Sequence, residues 1–352
     1  MIYWLMLFFP VAYYLVVRKT NIFGDRLADI YGKSFYIITC VMFVLLVGLR
    51  NKNIGLDTAY YVLGYERKEY IIDLLYYLES VKEEHGYQIL QWIVRKTGAE
   101  YPVFLTICAI LSVTPVIILI KKFSKIPWLS VFLYVAFGFL TFLLSGIRQG
   151  IAIGLCCIAT LFIPKKKIGL YLLFVLLAAS FHKSALIFLP AYFLYYLRAD
   201  VTSIVIVFVM GVITYVFKEQ IFDFLNSNAR MSYEQRETGG TMQYLFVVLN
   251  IILGLFFYDD MKNDDMLKYS FFCICVTAMI IPIIRVHPAL FRLYYYYYIF
   301  IMIFAPNLIA SIKDRFTKIV VIYGYCFVSL VVFYRFTISA DIDILPYMFF
   351  WQ

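Results

Sequence analysis

The sequence predicts an all-α fold: a polytopic bundle of about 12 transmembrane helices carrying an amphipathic outer loop. Three observations predict it. Of 352 residues, 64% are hydrophobic and only 15% are charged, with a mean hydropathy of +0.84; soluble domains carry about 25% charged residues. Long apolar runs recur along the whole chain at the length a bilayer crossing requires, about 20 residues. Lysines and arginines gather in every second connection, as they do in the cytoplasmic loops of membrane proteins.

The spans are expected near residues 2–17, 35–49, 103–120, 128–144, 147–163, 168–181, 184–197, 202–217, 243–258, 269–284, 293–310 and 319–334. The first lacks a basic start and a small-residue cleavage site, so it reads as a span and not as a removable signal. One set of connections holds sixteen Lys and Arg residues in compact clusters, such as Lys121-Lys122-Lys125 and Lys165-Lys166-Lys167; the alternate short set holds eight. The clustered set is assigned to the cytoplasm and both termini to the outside. The whole chain, 1–352, is expected to be a single integral membrane domain with outer loops at 50–102 and 218–242. Within 50–102, Tyr70, Ile71, Leu74, Leu75 and Leu78 recur at helical spacing, predicting an amphipathic helix on the outer surface. A second helix, Tyr87 to Val94, is expected to dip towards the bilayer. The loop 218–242 is polar and ends in Gly239-Gly240, the composition of a mobile connection.

The net charge of +9 follows from these cytoplasmic clusters, and no basic block adjoins a soluble domain, which argues against nucleic acid as a partner. All seven cysteines lie inside apolar runs, where a thiol behaves as a small hydrophobe; no disulfide framework or metal spacing is present. Neither a P-loop, an HExxH, a Gly-x-Ser-x-Gly nor a dinucleotide fingerprint occurs. No metal and no cofactor is expected.

The side chains able to do chemistry fall on the outer side. All three histidines, His85, His182 and His287, are there, with Arg50, Arg148, Arg285 and Arg292 at span ends and Asp57 and Glu84 in the first loop. Polar groups near membrane depth are costly and tend to be functional. His182 sits in a turn between two spans of about 14 residues, each reaching roughly 21 Å against a core of about 30 Å, so the turn is expected below the outer surface. Arg148, beside Gln149 and between Gly146 and Gly150, presents a planar fork that matches phosphate oxygens, although a lipid anchor would also explain it. Arg285 and Arg292 bracket a short turn and form a candidate diphosphate clamp. Tyr294 to Tyr298 cover every face of a helix, so most belong to packing, with one or two, Tyr294 first, left for a sugar. Glu84 is a candidate general base; Asp57 reads equally as a helix cap.

Several short motifs, taken in order, resemble one family. Gly48-Leu49-Arg50 with Ile54-Gly55-Leu56-Asp57-Thr58 and Tyr60-Tyr61 looks like the first signature of the EpsG family of exopolysaccharide polymerases. Glu84-x-Gly86-Tyr87, Ile147-Arg148-Gln149, and Phe181-His182-x-Ser184-Ala185-Leu186 with Leu189-Pro190 resemble the next elements; Arg292 with Tyr294-Tyr295, and Pro346-Tyr347, resemble weaker late ones. The resemblance implies a Wzy-like glycosyltransferase in the bacterial plasma membrane. Its donor and acceptor would be oligosaccharide repeat units on undecaprenyl diphosphate, joined at the outer face. His182, Arg148 and Glu84 would be catalytic, and Arg50, Asp57, Arg285, Arg292 and Tyr294 would bind substrate. Membrane lipid and a chain-length regulator are further expected partners. A flippase or exporter for the same lipid-linked sugar, and a ligase of the same chemistry, are the alternatives. A transporter should place polar groups near the midplane in repeated halves, whereas here they gather at one face.

Overall fold

The computed structural model describes residues 1–19, 25–81, 84–198, 201–227, 241–261, 263–284, 293–338 and 343–352. Among them the regular structure is all helical, joined by turns and loops, with one isolated antiparallel bridge between Arg50 and Phe349. Among the described residues three stretches, Tyr101–Phe123, Asp265–Ile283 and Arg315–Ile338, are long and apolar enough to cross a membrane, and eight shorter apolar helices accompany them. The all-helical, membrane-type character of the sequence is therefore present. The number of about twelve crossings is not established by these lengths. Apolar composition marks a run but not its breaks. The run at 128–144 is interrupted by Gly138 in the left-handed region (φ 77°), and that at 184–197 becomes a 3-10 segment, Lys183–Phe188, and a single α-turn.

The helices form two compact units. The first, Met1–Leu186 with Ile322–Gln352, contains α1 (Ile2–Lys19), α2 (Asp25–Gly48), α3 (Thr58–Glu66), α4 (Leu74–Ser80), α5 (His85–Lys96), α6 (Tyr101–Phe123), α7 (Pro127–Ala136), α8 (Phe139–Phe142), α9 (Ile147–Thr160) and α10 (Ile168–Phe181). α6 and α7 each open on a proline in the first turn, where its missing N–H costs nothing. α6 is the spine: α2 packs on one side and α9 on another, with α10 against α9. An apolar cluster of Tyr61, Tyr65, Tyr87, Phe104, Cys108 and Ile147 ties α3 and α5 to α6 and α9. Edge-to-face and stacked ring contacts hold it, with Tyr65 and Phe104 at 4.5 Å and Tyr61 and Tyr87 at 5.8 Å.

The first connection differs from its expectation at the start of α4. Asp73 caps α4 by accepting from the Tyr76 N–H at 3.1 Å, so the helix begins at Leu74 and leaves Tyr70 and Ile71 outside it. None of its residues is buried, and Leu75 and Tyr76 are exposed. α5 (His85–Lys96) forms where the second helix of this connection was expected, and Tyr87, Gln88, Gln91 and Val94 bury its inner face in the protein.

The second unit, Ile187–Val321, contains α11 (Ala191–Leu194), α12 (Val201–Val216), α13 (Lys218–Ser227), α14 (Thr241–Phe256), α15 (Tyr258–Met261), α16 (Asp265–Ile284), α17 (Tyr295–Tyr298), α18 (Ile301–Ser311) and the first part of α19 (Arg315–Phe333). α16 is its centre, packed by α12, α14 and α18. The start of the 218–242 connection is the helix α13; residues 228–240 lie outside the described ones.

Candidate functional site

Two neighbouring groups of side chains are built within the first unit. The first is built on the loop from Arg50 to Thr58. Gly55 takes φ +90°, and a Cβ there would run into the Leu144 carbonyl, so only glycine lets the loop lie against the turn that precedes α9. Leu56 N–H donates to Ser145 Oγ at 3.1 Å and Thr58 Oγ1 donates to the Leu144 carbonyl at 2.6 Å. The C-terminal segment closes over the other side. Asn51 N–H donates to Met348 O, Phe350 N–H to Leu49 O and Gly55 N–H to Asp343 O, at 2.7–2.9 Å. Tyr347 Oη donates to Leu46 O at 2.5 Å, and Tyr3 of α1 to Ile344 O at 2.8 Å.

Arg50 is consequently enclosed, at 1% exposure. Its guanidinium donates to the Val47 carbonyl and, at 3.4 Å from both Nε and Nη2, to Thr58 Oγ1. Burial pushes its ionisation down to about 10, partly opposed by Tyr347, Cys108, Tyr87 and Tyr3 nearby. The same burial raises Tyr347 to about 12. No carboxylate pairs with Arg50 among the described residues. Asp57 stands at the N-cap of α3 but makes no side-chain cap bond.

The second group joins three distant segments. The N-terminus of α5 abuts the C-terminus of α10, and Gly86 permits it: a Cβ there would lie 2.8 Å from the Ser180 carbonyl oxygen. Glu84, at the N-cap of α5, is thereby placed beside the His182 turn. Its Oε1 accepts from the Lys183 N–H at 3.3 Å and its Oε2 from Arg148 Nη1 at 2.9 Å. The ion pair is mostly enclosed, with side-chain exposures of 23% for Arg148 and 14% for Glu84. Arg148 opens α9 and stands over the rings of Tyr61 and Tyr87, 5.8 and 6.0 Å from their centroids. His182 Nδ1 lies 2.5 Å from Ser184 Oγ.

Burial alone would raise the Glu84 carboxyl, but its own backbone N–H, the Arg148 guanidinium and the Lys183 N–H together hold it below the usual carboxylate range. Burial pushes the Tyr87 hydroxyl well above the ordinary phenol range. Two buried polar atoms here, Tyr87 Oη and Arg148 Nε, have no hydrogen-bond partner among the described residues. Buried polar groups are normally satisfied, so these two atoms are exceptions that mark the polar centre of the group.

Of the residues singled out from the sequence, Glu84, Arg148 and His182 converge, while Arg50 and Asp57 belong to the adjoining loop. Tyr294 is buried at 3% within the second unit, stacked on Tyr295 at 4.7 Å. Arg285, His287 and Arg292 lie outside the described residues. Reading the residues assigned no role to Tyr61 and Tyr87, which flank Arg148; their signal was their place inside the motifs of the first connection.

A model of the EpsG family matches residues 33–349. No curated protein and no solved structure matches the chain. The match covers nearly the whole sequence and includes every segment that builds the Glu84–Arg148–His182 group: the chain belongs to the EpsG family.

Proposed function

We propose that the protein is a polysaccharide polymerase that joins oligosaccharide repeat units carried on undecaprenyl diphosphate, at the outer face of the bacterial plasma membrane. The observation that carries this reading is the enclosed Glu84–Arg148 pair beside His182, an acid–base and cation set in a chain with membrane-type helices and EpsG family membership. The outward placement rests on the charge bias of the connections, which puts all three residues on the side opposite the lysine clusters.

In the proposed reaction a sugar hydroxyl of the acceptor forms a bond to the anomeric carbon of the donor. The bond from that carbon to the diphosphate oxygen breaks, and undecaprenyl diphosphate leaves with the electron pair. The acceptor proton passes to Glu84 or to His182. Glu84 is a weak base because its ionised form is so well held, and a good leaving group tolerates that. The charge growing on the diphosphate needs fixed donors, typically a large catalytic term. Arg148 is suited to this role: one nitrogen holds Glu84 and Nε remains unpartnered among the described residues. Arg285 and Arg292 are proposed as the other cations and Asp57 as a contact to sugar. Arg50, shut in by the C-terminal segment, is better suited to supporting the loop from which Asp57 projects. Donor, acceptor, membrane lipid and a chain-length regulator are the proposed partners.

The lipid-linked glycans of a deletion strain test the reading. Single repeat units should accumulate on the carrier at the outer face. Units accumulating at the inner face would indicate a flippase, and finished long chains retained on the carrier would indicate a ligase.

A further inference from the structure

A second polar cleft lies in the same unit. It has a volume of about 520 Å³ and is lined by Glu66, Glu69, Glu100, Arg67 and Arg95, with Tyr70 and Tyr101. That volume falls within the roughly 300–1,000 Å³ typical of small-ligand sites. Its rim is firmly built. Arg95 pairs with Glu69 and donates from Nη1 to the Ala99 carbonyl at 3.2 Å. Lys96 Nζ donates to Glu69 O at 3.0 Å and Trp92 Nε1 to Ile71 O at 3.2 Å. Other groups are left over. Glu66, Arg67 and Glu100 make no side-chain hydrogen bond or ion pair among the described residues, and the buried Arg95 Nε has no partner there either. Tyr70 is 81% exposed.

We infer that this cleft is a saccharide-binding subsite that holds sugar rings of the acceptor glycan away from the reacting bond. The inference rests on the polymerase reading for the identity of the glycan, and on the cleft itself for the chemistry. Three carboxylates face two guanidiniums with the Lys96 ammonium at the rim, and Arg95 is already paired with Glu69, so no cation excess is left to select a phosphate or an anionic headgroup. Planar carboxylates and guanidiniums make paired hydrogen bonds to neighbouring hydroxyls. The open tyrosine ring offers a flat apolar face to the C–H side of a sugar. Such a set fits an uncharged, polyhydroxylated ligand.

Geometry connects the cleft to the Glu84 group. α5 carries Glu84 at its N-cap and Arg95 near its other end. Eleven residues at 1.5 Å each put them about 16 Å apart along the helix. α3 runs beside it in the same sense: Gln91 of α5 donates to the Tyr61 carbonyl at 3.2 Å, and Arg95 stands 5.8 Å over the Tyr65 ring. Tyr61 thus faces Arg148 while Glu66 faces the cleft. An extended glycan lying along these two helices reaches both places, so an acceptor of several rings is gripped where one of a single ring is not.

The test is calorimetric titration of the full-length protein in nanodiscs with short oligosaccharides released by partial hydrolysis of the host's secreted polysaccharide. Tyr70→Ala and Glu66→Gln alter exposed side chains and should keep the wild-type melting temperature. Each should weaken binding by about tenfold, the loss expected for one good polar contact in Glu66→Gln and for one lost ring face in Tyr70→Ala. Wild-type affinity in both variants, or no saccharide binding by the wild type, overturns the inference. So does calcium binding that is lost in Glu66→Gln without any saccharide binding. If the oligosaccharides bind through the cleft but the protein joins no lipid-linked units, the cleft stands and the polymerase reading falls. If units are joined and both variants bind normally, the reverse holds.

Discussion

Replacing Arg148 by lysine separates charge from shape. Arg148 holds Glu84 at 2.9 Å, covers the faces of two tyrosine rings and keeps Nε unpartnered among the described residues. A lysine preserves the charge, but one compact ammonium serves either Glu84 or a leaving phosphate oxygen, not both in a fixed fork. Losing one transition-state donor costs about 10²–10³ in turnover in other enzymes, and that is the expected effect on kcat. The fold should suffer little: weaker contact with the rings costs about 0.5–1 kcal/mol. Arg148→Met provides the contrast. It leaves Glu84 enclosed without its cation, at a cost of about 2–3 kcal/mol once the pair's partial exposure is allowed for. Both variants would be assayed with purified lipid-linked repeat units, reading released undecaprenyl diphosphate and chain length, with melting temperature as the check on folding. Near-normal chains from Arg148→Lys at normal expression would refute the reasoning and leave the leaving-group role to Arg285 and Arg292.

Other expectations follow from the same geometry. Because Glu84 is held below its unfolded value, its stabilising contribution is complete above the ordinary carboxylate pKa of about 4.3 and is lost as pH falls through the folded value. The stability gap between wild type and Glu84→Gln should therefore be constant at neutral pH and close only on that acid limb. The pH–rate profile then bears on the base: a fall confined to the same limb points to Glu84, and a fall outside it points to another group. Gly86→Ala should cost about 1–3 kcal/mol and abolish polymer, since its methyl forces α5 off the end of α10; an unchanged melting temperature would contradict the packing. Turnover should survive thorough chelation, and loss restored by one divalent ion would assign Asp57 and Glu84 a different role. In cells with the wall opened, cysteines at His85 and Lys183 should react with an impermeant maleimide while one at Lys166 should not. The opposite pattern would invert the orientation.

That Glu84, Arg148 and His182 belong on one face was an expectation of the sequence; that they meet, with Lys183 N–H on a carboxylate 99 residues away, is seen only in the structure. Charge bias sorts connections by side, and polar residues at the ends of short apolar runs must share whatever space that side provides. The enclosure of Arg50 was not legible. A lone arginine after a span reads as facing headgroups, and nothing in its own neighbourhood announces that Phe349 will pair with its backbone or that Tyr347 will cover it. α4 misleads for a related reason. Apolar spacing from Tyr70 to Leu78 fits a helix, but Asp73 supplies a capping oxygen within it, and a local hydrogen bond outweighs a weak periodic pattern in setting where a helix begins. The breaks at Gly138 and Pro190 show the same limit on the larger scale: hydrophobicity averaged over a run does not register one residue that ends a helix.

The most direct measurement places the purified protein in liposomes with a single defined undecaprenyl-diphosphate-linked repeat unit and no other substrate. The account predicts a ladder of chains growing by whole repeat units, with one undecaprenyl diphosphate released per bond formed, and loss of both in Glu84→Gln and Arg148→Lys proteins that remain folded. Movement of the intact unit across the bilayer without any ladder, or a ladder undiminished in both variants, would contradict it.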